Sequence, residues 1–177
     1  MKSLEEQMSV YAAYHQDARN KATHFVGVPV IVLSLFIPLS WLQLPLGGFT
    51  ITGAMVFAAV VLAYYVRLDS LLAAAMAVVT ALLLYAAEVI SREPASVGWL
   101  WFTVLFGGGW VLQLLGHVFE GRKPALVDNL FQIFVAPIFL CAEVFFALGY
   151  RPQLREAVRR RAQELRGRVG AQGQAPA

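Results

Sequence analysis

The sequence predicts an all-α fold, a multi-pass transmembrane helical bundle, and three observations carry that reading. Hydrophobic residues make up 59% of the 177 and charged residues only 14%, too apolar for a soluble domain of this length. The apolar residues gather into four to five runs, most of them near the roughly 20 residues that a helix needs to cross a bilayer. The charges fall mainly in the short stretches between the runs and in the last part of the chain.

Residues 2–18 carry Leu4, Met8, Tyr11 and His15 at helical spacing, with Glu5, Glu6 and Gln7 elsewhere on the turn, the pattern of an N-terminal interfacial helix. The opening residues are polar and acidic, unlike a cleavable signal peptide, so insertion is expected to depend on the first apolar run. Asn20 is a candidate N-cap for a second helix beginning near Lys21. In one unbroken helix His15 and His24, nine residues apart, would point to opposite sides at about 100° per residue. A bend at Asn20 lets them converge; a continuous helix instead sets Asp17, Asn20 and His24 on one face.

The first run spans residues 25–44, with Pro29 and Pro38 as kinks or ends, and an uncharged turn at Pro45, Gly47 and Gly48 follows. The second, 51–66, is short unless Thr50 and Arg67 snorkel. Arg67 and Asp69 mark a tight loop before the third, 70–90, which ends near Glu88 and the turn Ser91-Arg92-Glu93-Pro94. The fourth, 97–118, begins with Trp99 and Trp101 at an interface and carries Gly107, Gly108 and Gly109 for close helix approach. A fifth, 130–150, is interrupted by Pro137 and contains Glu143. With the N-terminus cytoplasmic, Arg19, Lys21, Arg67, Arg122 and Lys123 fall inside and Arg92 outside, as the positive-inside rule favours. Five crossings would strand the arginine-rich tail outside, so the fifth run is expected to be re-entrant or broken, leaving four crossings. Leu154, Val158, Ala162, Leu165 and Val169 share one face of a basic C-terminal amphipathic helix, expected to lie on the membrane and give way to disorder from Gly170. Residues 1–150 thus form a transmembrane domain and 151–177 a basic tail.

Cys141 is the single cysteine, so no disulfide forms within the chain. The basic excess belongs to the tail, where it meets anionic lipid rather than nucleic acid. Gly107 to Gly109 lacks a following Lys-Ser/Thr and is no phosphate loop. Glu88 and Glu143 are costly inside a bilayer and so are functional candidates by default, while Tyr64, Tyr65 and Tyr85 read as core or interfacial aromatics.

All three histidines fall in two polar stretches, Tyr14 to His24 and Gly116 to Asn129. The alternating topology brings His24, at the start of the first run, and His117, at the end of the fourth, to one membrane face. His15, Asp17, Glu120 and Asp128 join them. Imidazole is the commonest protein metal ligand, and histidines mixed with carboxylates and open positions suit non-haem Fe(II) chemistry with oxygen. His117 and Glu120, three apart, share a helix face if the helix persists beyond Phe119. The plainer alternative pairs Glu120 and Asp128 with Arg122 and Lys123 and leaves the histidines as interfacial hydrogen-bonding groups.

At these residues the chain resembles the membrane-embedded, iron(II)-dependent 2-hydroxy fatty acid dioxygenases of fatty acid α-oxidation. The matching motifs are His15-x4-Asn20-x3-His24-Phe25-x-Gly27-x-Pro29 and Gly116-His117-x2-Glu120-x3-Pro124-Ala125-Leu126. The resemblance covers about residues 10–150 and omits the tail. It implies that a 2-hydroxy fatty acid and O2 give the acid one carbon shorter and CO2. It also implies that His15, His24 and His117 hold Fe(II), with Glu120 or Asp17 as a fourth ligand or an orienting partner. Asn20 belongs to the same catalytic set. Arg122 or Lys123 would guide the substrate carboxylate, and the acyl chain would lie among the spans. Three histidines are too few for a di-iron site. The 2-hydroxy acid itself supplies the four electrons that oxygen accepts, so no nucleotide cofactor is needed. The implied home is a bacterial inner membrane, or the endoplasmic reticulum in a eukaryote, with the active site at the cytoplasmic face. The alternative function is a non-enzymatic membrane protein that binds or carries lipid.

Overall fold

The computed structural model describes residues 3–121 and 131–172, with side chains described as far as residue 167. These residues form α1 (Leu4–Tyr14), α2 (Ala18–Ser40), β1 (Gln43–Leu46), β2 (Phe49–Thr52), α3 (Gly53–Leu68), α4 (Ser70–Ser91), α5 (Ala95–Glu120), α6 (Gln132–Ala147) and α7 (Pro152–Gln172). Three of the helices, α2, α4 and α5, are long and apolar enough to cross a membrane. α3 and α6 are apolar but only 16 residues each.

Local chemistry explains most boundaries. Ser3 caps α1 through a reciprocal capping box with Glu6, two residues whose Ser-x-x-Glu spacing is a helix-start signal in its own right. α1 stops at Tyr14, and α2 starts at Ala18 behind Asp17, whose carboxylate accepts from the Arg19 backbone N–H. The expected break at Asn20 therefore lies three residues earlier. Asp17 and Asn20 are both good N-caps, and Asn20 is drawn into the first turn of α2 by a buried partner described below. Pro29 and Pro38 end nothing, because α2 runs through both, as proline in a membrane helix often allows. The turn expected at Pro45 to Gly48 is a two-stranded hairpin, with Leu46 opposite Phe49 and Gly47 at a positive φ of 64°. Asp69 caps α4 by accepting from the Leu71 and Leu72 N–H groups.

Successive helices alternate direction. α2 runs from the histidine end to the hairpin end, α3 returns, α4 runs out and α5 returns. At the hairpin end the Trp41 indole N–H donates to the Ser91 carbonyl at 3.2 Å and stacks edge-on with Trp99. At the histidine end Asp69, between α3 and α4, pairs with Arg151 at 2.9 Å, and Lys21 pairs with Glu143 at 2.8 Å. Lys21 thus accounts for the carboxylate that the sequence leaves in the fifth run. Glu88 is matched likewise, by Arg92 one turn on. Glu143 and Arg151 are thereby tied to the same end of the bundle.

α2 and α5 lie closest, and glycine makes that possible. A Cβ on Gly109 would stand 2.6 Å from Ile31 Cγ1, whereas Gly107 and Gly108 face open space. Of the three glycines, then, only Gly109 serves helix approach. The bundle exterior is apolar, with Val60, Leu82 and Leu100 each more than 60% exposed. So much exposed hydrocarbon is untenable in water but suits lipid.

The tail departs from its expected placement. α7 continues past Gly170 to Gln172, residues 173–177 lying outside the described residues, and its apolar face packs on protein. Val158 and Ala162 are buried in one core with Met8 and Tyr11 of α1 and with Phe139 of α6. Arg161 pairs with Glu5 and Glu6 of α1.

Candidate metal centre

The three histidine rings form a nearly equilateral triangle, with centroids 4.7 Å apart for His15 and His24, 5.0 Å for His15 and His117, and 5.1 Å for His24 and His117. All three are buried. One potential ligand atom from each lies within 4.8 Å of the others, and among the described residues theirs is the grouping of metal-ligating side chains.

Hydrogen bonding decides which nitrogens face the centre. His15 Nδ1 is 2.8 Å from the Tyr11 carbonyl and His24 Nδ1 is 2.9 Å from the Asn20 carbonyl. A carbonyl only accepts, so each Nδ1 carries the proton and donates it. Each Nε2 is then left with a bare lone pair, and the two Nε2 atoms stand 3.2 Å apart. Two lone pairs at that distance repel unless a cation lies between them. A proton is a poor candidate, because burial pushes the pKa of His15, which lies between α1 and α2, down to about 2. A metal ion fits. Metal–nitrogen bonds of about 2.1 Å place two nitrogens about 3.0 Å apart at a right angle and about 3.4 Å apart at a tetrahedral one. Carbonyls behind ring nitrogens are the usual way to fix tautomer and orientation in metal sites. His117 Nδ1 is buried without a partner among the described residues, a further nitrogen free to ligate at the cluster. His15 is held flat against Tyr11, with centroids 3.9 Å apart and planes 6° apart.

The carboxylates are engaged elsewhere. Glu120 Oε2 accepts from the backbone N–H groups of Gln16 and Asp17, at 2.9 and 2.7 Å, and from Asn20 Nδ2 at 3.2 Å. Its Oε1 pairs with Arg166 of α7 at 2.6 Å, while the Glu120 side chain itself has no exposure. Glu120 therefore stitches the turn that follows His15 to the end of α5. Asp17 is spent on Arg19, which holds its carboxyl at about 2. Arg122, Lys123 and Asp128 lie outside the described residues.

α5 meets the first turn of α2 so closely that a Cβ on Gly116 would run into Thr23 Oγ1 and stand 2.5 Å from Asn20 Oδ1. This contact sets His24 beside His117. Below the cluster opens a cavity of about 600 Å³ walled by α2 to α6, within the usual range for ligand pockets. Its walls are almost wholly apolar, Val28, Phe36, Phe57, Met76 and Leu140 among them, and its polar end is the three histidines. The site also holds Arg166, Gln113 and Gln132, which no sequence motif marks. Arg166 is one of many tail arginines, but the glutamines are polar residues within apolar runs, a signal that was there to be read.

The model of the family described as 2-hydroxy-palmitic acid dioxygenase Mpo1-like matches residues 1–148. The chain is 33% identical over 155 residues to the 2-hydroxy-palmitic acid dioxygenase MPO1 of the yeast Saccharomyces cerevisiae, covering 86% of this chain and 85% of that protein. No solved structure matches.

Proposed function

This chain belongs to the 2-hydroxy-palmitic acid dioxygenase Mpo1-like family, and on that premise we propose that it cleaves a 2-hydroxy fatty acid with O2, giving the acid one carbon shorter, CO2 and water, at an Fe(II) centre held by His15, His24 and His117. The observation that carries the reading is the pair of facing, unprotonated Nε2 atoms 3.2 Å apart at the mouth of an apolar cavity. When bound there, Fe(II) supplies open positions for oxygen and for the oxygens of the substrate, as in other sites of mixed histidine ligation.

The protein's own groups do the rest. The Tyr11 and Asn20 carbonyls keep the protons of His15 and His24 on Nδ1. Glu120 orients His15 from behind by holding the Gln16 and Asp17 N–H groups, and Asn20 braces Glu120 in turn. The cavity takes the acyl chain and keeps water from it. Arg122 or Lys123 guides the substrate carboxylate.

The same reading places four crossings, α2 to α5, in the membrane, with α6 re-entrant and the histidine end cytoplasmic. Residues 1–150 are then the catalytic unit, in a bacterial inner membrane or, in a eukaryote, the endoplasmic reticulum. Iron content and turnover of 2-hydroxypalmitate, measured on one purified preparation and on His15→Ala, His24→Ala and His117→Ala, test the proposal. Near-stoichiometric iron and product in the parent, both lost in each variant, are expected. Metal-free protein that binds lipid without converting it would instead make the chain a carrier.

A further inference from the structure

Gln113 is a polar group on the cavity wall that the histidine cluster does not use. It lies on α5 one turn before His117, is 7% exposed and lines the cavity. Its Nε2 has no hydrogen-bond partner among the described residues. Its position is set from α2 as well. Nε2 lies 2.9 Å from where a Cβ on Gly27 would stand, and Gly27 is one turn beyond His24 on α2. Gln113 therefore lies one helical turn, about 5.4 Å along α5, from His117, and among the residues that line the cavity, with Nε2 itself turned against Gly27.

A buried amide donor with nothing to donate to is a standing cost that leucine or methionine would avoid. At this depth the acceptor enters with the ligand, and the amide turns from Gly27 toward the cavity to meet it. A 2-hydroxy fatty acid carries its only oxygens at one end, and that end faces the histidines if the chain fills the apolar cavity. We propose that Gln113 Nε2 donates to the 2-hydroxy-carboxylate head of the substrate. The inference rests on the reaction proposed above and adds to it the residue that reads the head group. A neutral amide suits the place, because it binds an anion without itself being a charge to desolvate. Gly27 provides the room in which the amide stands.

The test compares wild type with Gln113→Leu and Gln113→Glu, the second keeping the shape but replacing the donor with an acceptor. Equilibrium dialysis of metal-free protein against 2-hydroxypalmitate is paired with steady-state kinetics of the iron-loaded enzyme. Gln113→Leu should weaken binding and raise KM about tenfold, the loss of one hydrogen bond to a charged group. It should leave iron content and thermal midpoint near those of wild type. Gln113→Glu should weaken binding further through repulsion of the carboxylate. Wild-type affinity and KM in either correctly folded variant would overturn the inference and leave the reaction standing. If Gln113→Leu fails to fold, Gln113→Glu alone decides in the same way. Wild-type protein that neither binds nor converts 2-hydroxypalmitate would sink the reaction itself.

Discussion

At the scale of single residues, the site is a set of three rings whose disposition is dictated by groups that never need to touch a metal. Glu120 shows this most clearly. Its carboxylate takes four hydrogen bonds with no exposure to water. Glu120→Gln keeps the shape but turns one acceptor into a donor facing other donors. The expected loss is about 1–3 kcal/mol of stability, together with lower metal content although all three histidines are intact. Chemical denaturation with metal analysis checks it, and an unchanged midpoint with full metal would show that the turn after His15 is held by other means. Gly116→Ala is expected to be comparably damaging, at about 1–3 kcal/mol for an overpacked contact. Its methyl would collide with Thr23 Oγ1 and crowd Asn20, prising His117 away from His24. The histidines were legible in the sequence because polar residues in an apolar chain stand out. Which carboxylate served them was not, since Glu120 meets Gln16 and Asp17 across more than 100 residues.

At the scale of elements, α7 lies outside the residues that the family model matches, yet it is joined to the site. Arg166 reaches Glu120, and Val158 and Ala162 close the core beneath α1. Arg166→Ala should therefore lower metal retention during dialysis, and Arg166→Lys should recover part of it. Equal retention in all three proteins would show the ion pair to be idle. Removing α7 altogether should cost more, because Met8 and Tyr11 lose apolar cover at about 25 cal/mol for each Å² exposed. A lower thermal midpoint on truncation after Tyr150 is the expected reading. The amphipathic pattern of this helix was legible, but its partner was not. A basic, one-sided helix reads the same whether its apolar face meets lipid or another helix.

At the scale of the whole molecule, the alternation of α2 to α5 puts the N-terminal helix, the metal centre and α7 at one end and the β1–β2 hairpin at the other. In a Cys141→Ser background, Ser3→Cys and Gly167→Cys should label from one side of a sealed vesicle and Gly48→Cys from the other. Labelling of Ser3→Cys and Gly167→Cys from opposite sides would mean that the segment 121–150 crosses the membrane. The sequence by itself determined the helical class, the apolar runs and the residues that gather at one face, because hydropathy and helical period are local properties that a single strand of text carries. Only the tertiary structure decided where each helix begins and ends, that the break between α1 and α2 falls at Asp17, and that Glu120 binds backbone and Arg166. Those outcomes depend on which distant groups meet when the helices pack. Among near-equivalent local choices, such as Asp17 against Asn20 as a cap, the one that satisfies a buried carboxylate prevails.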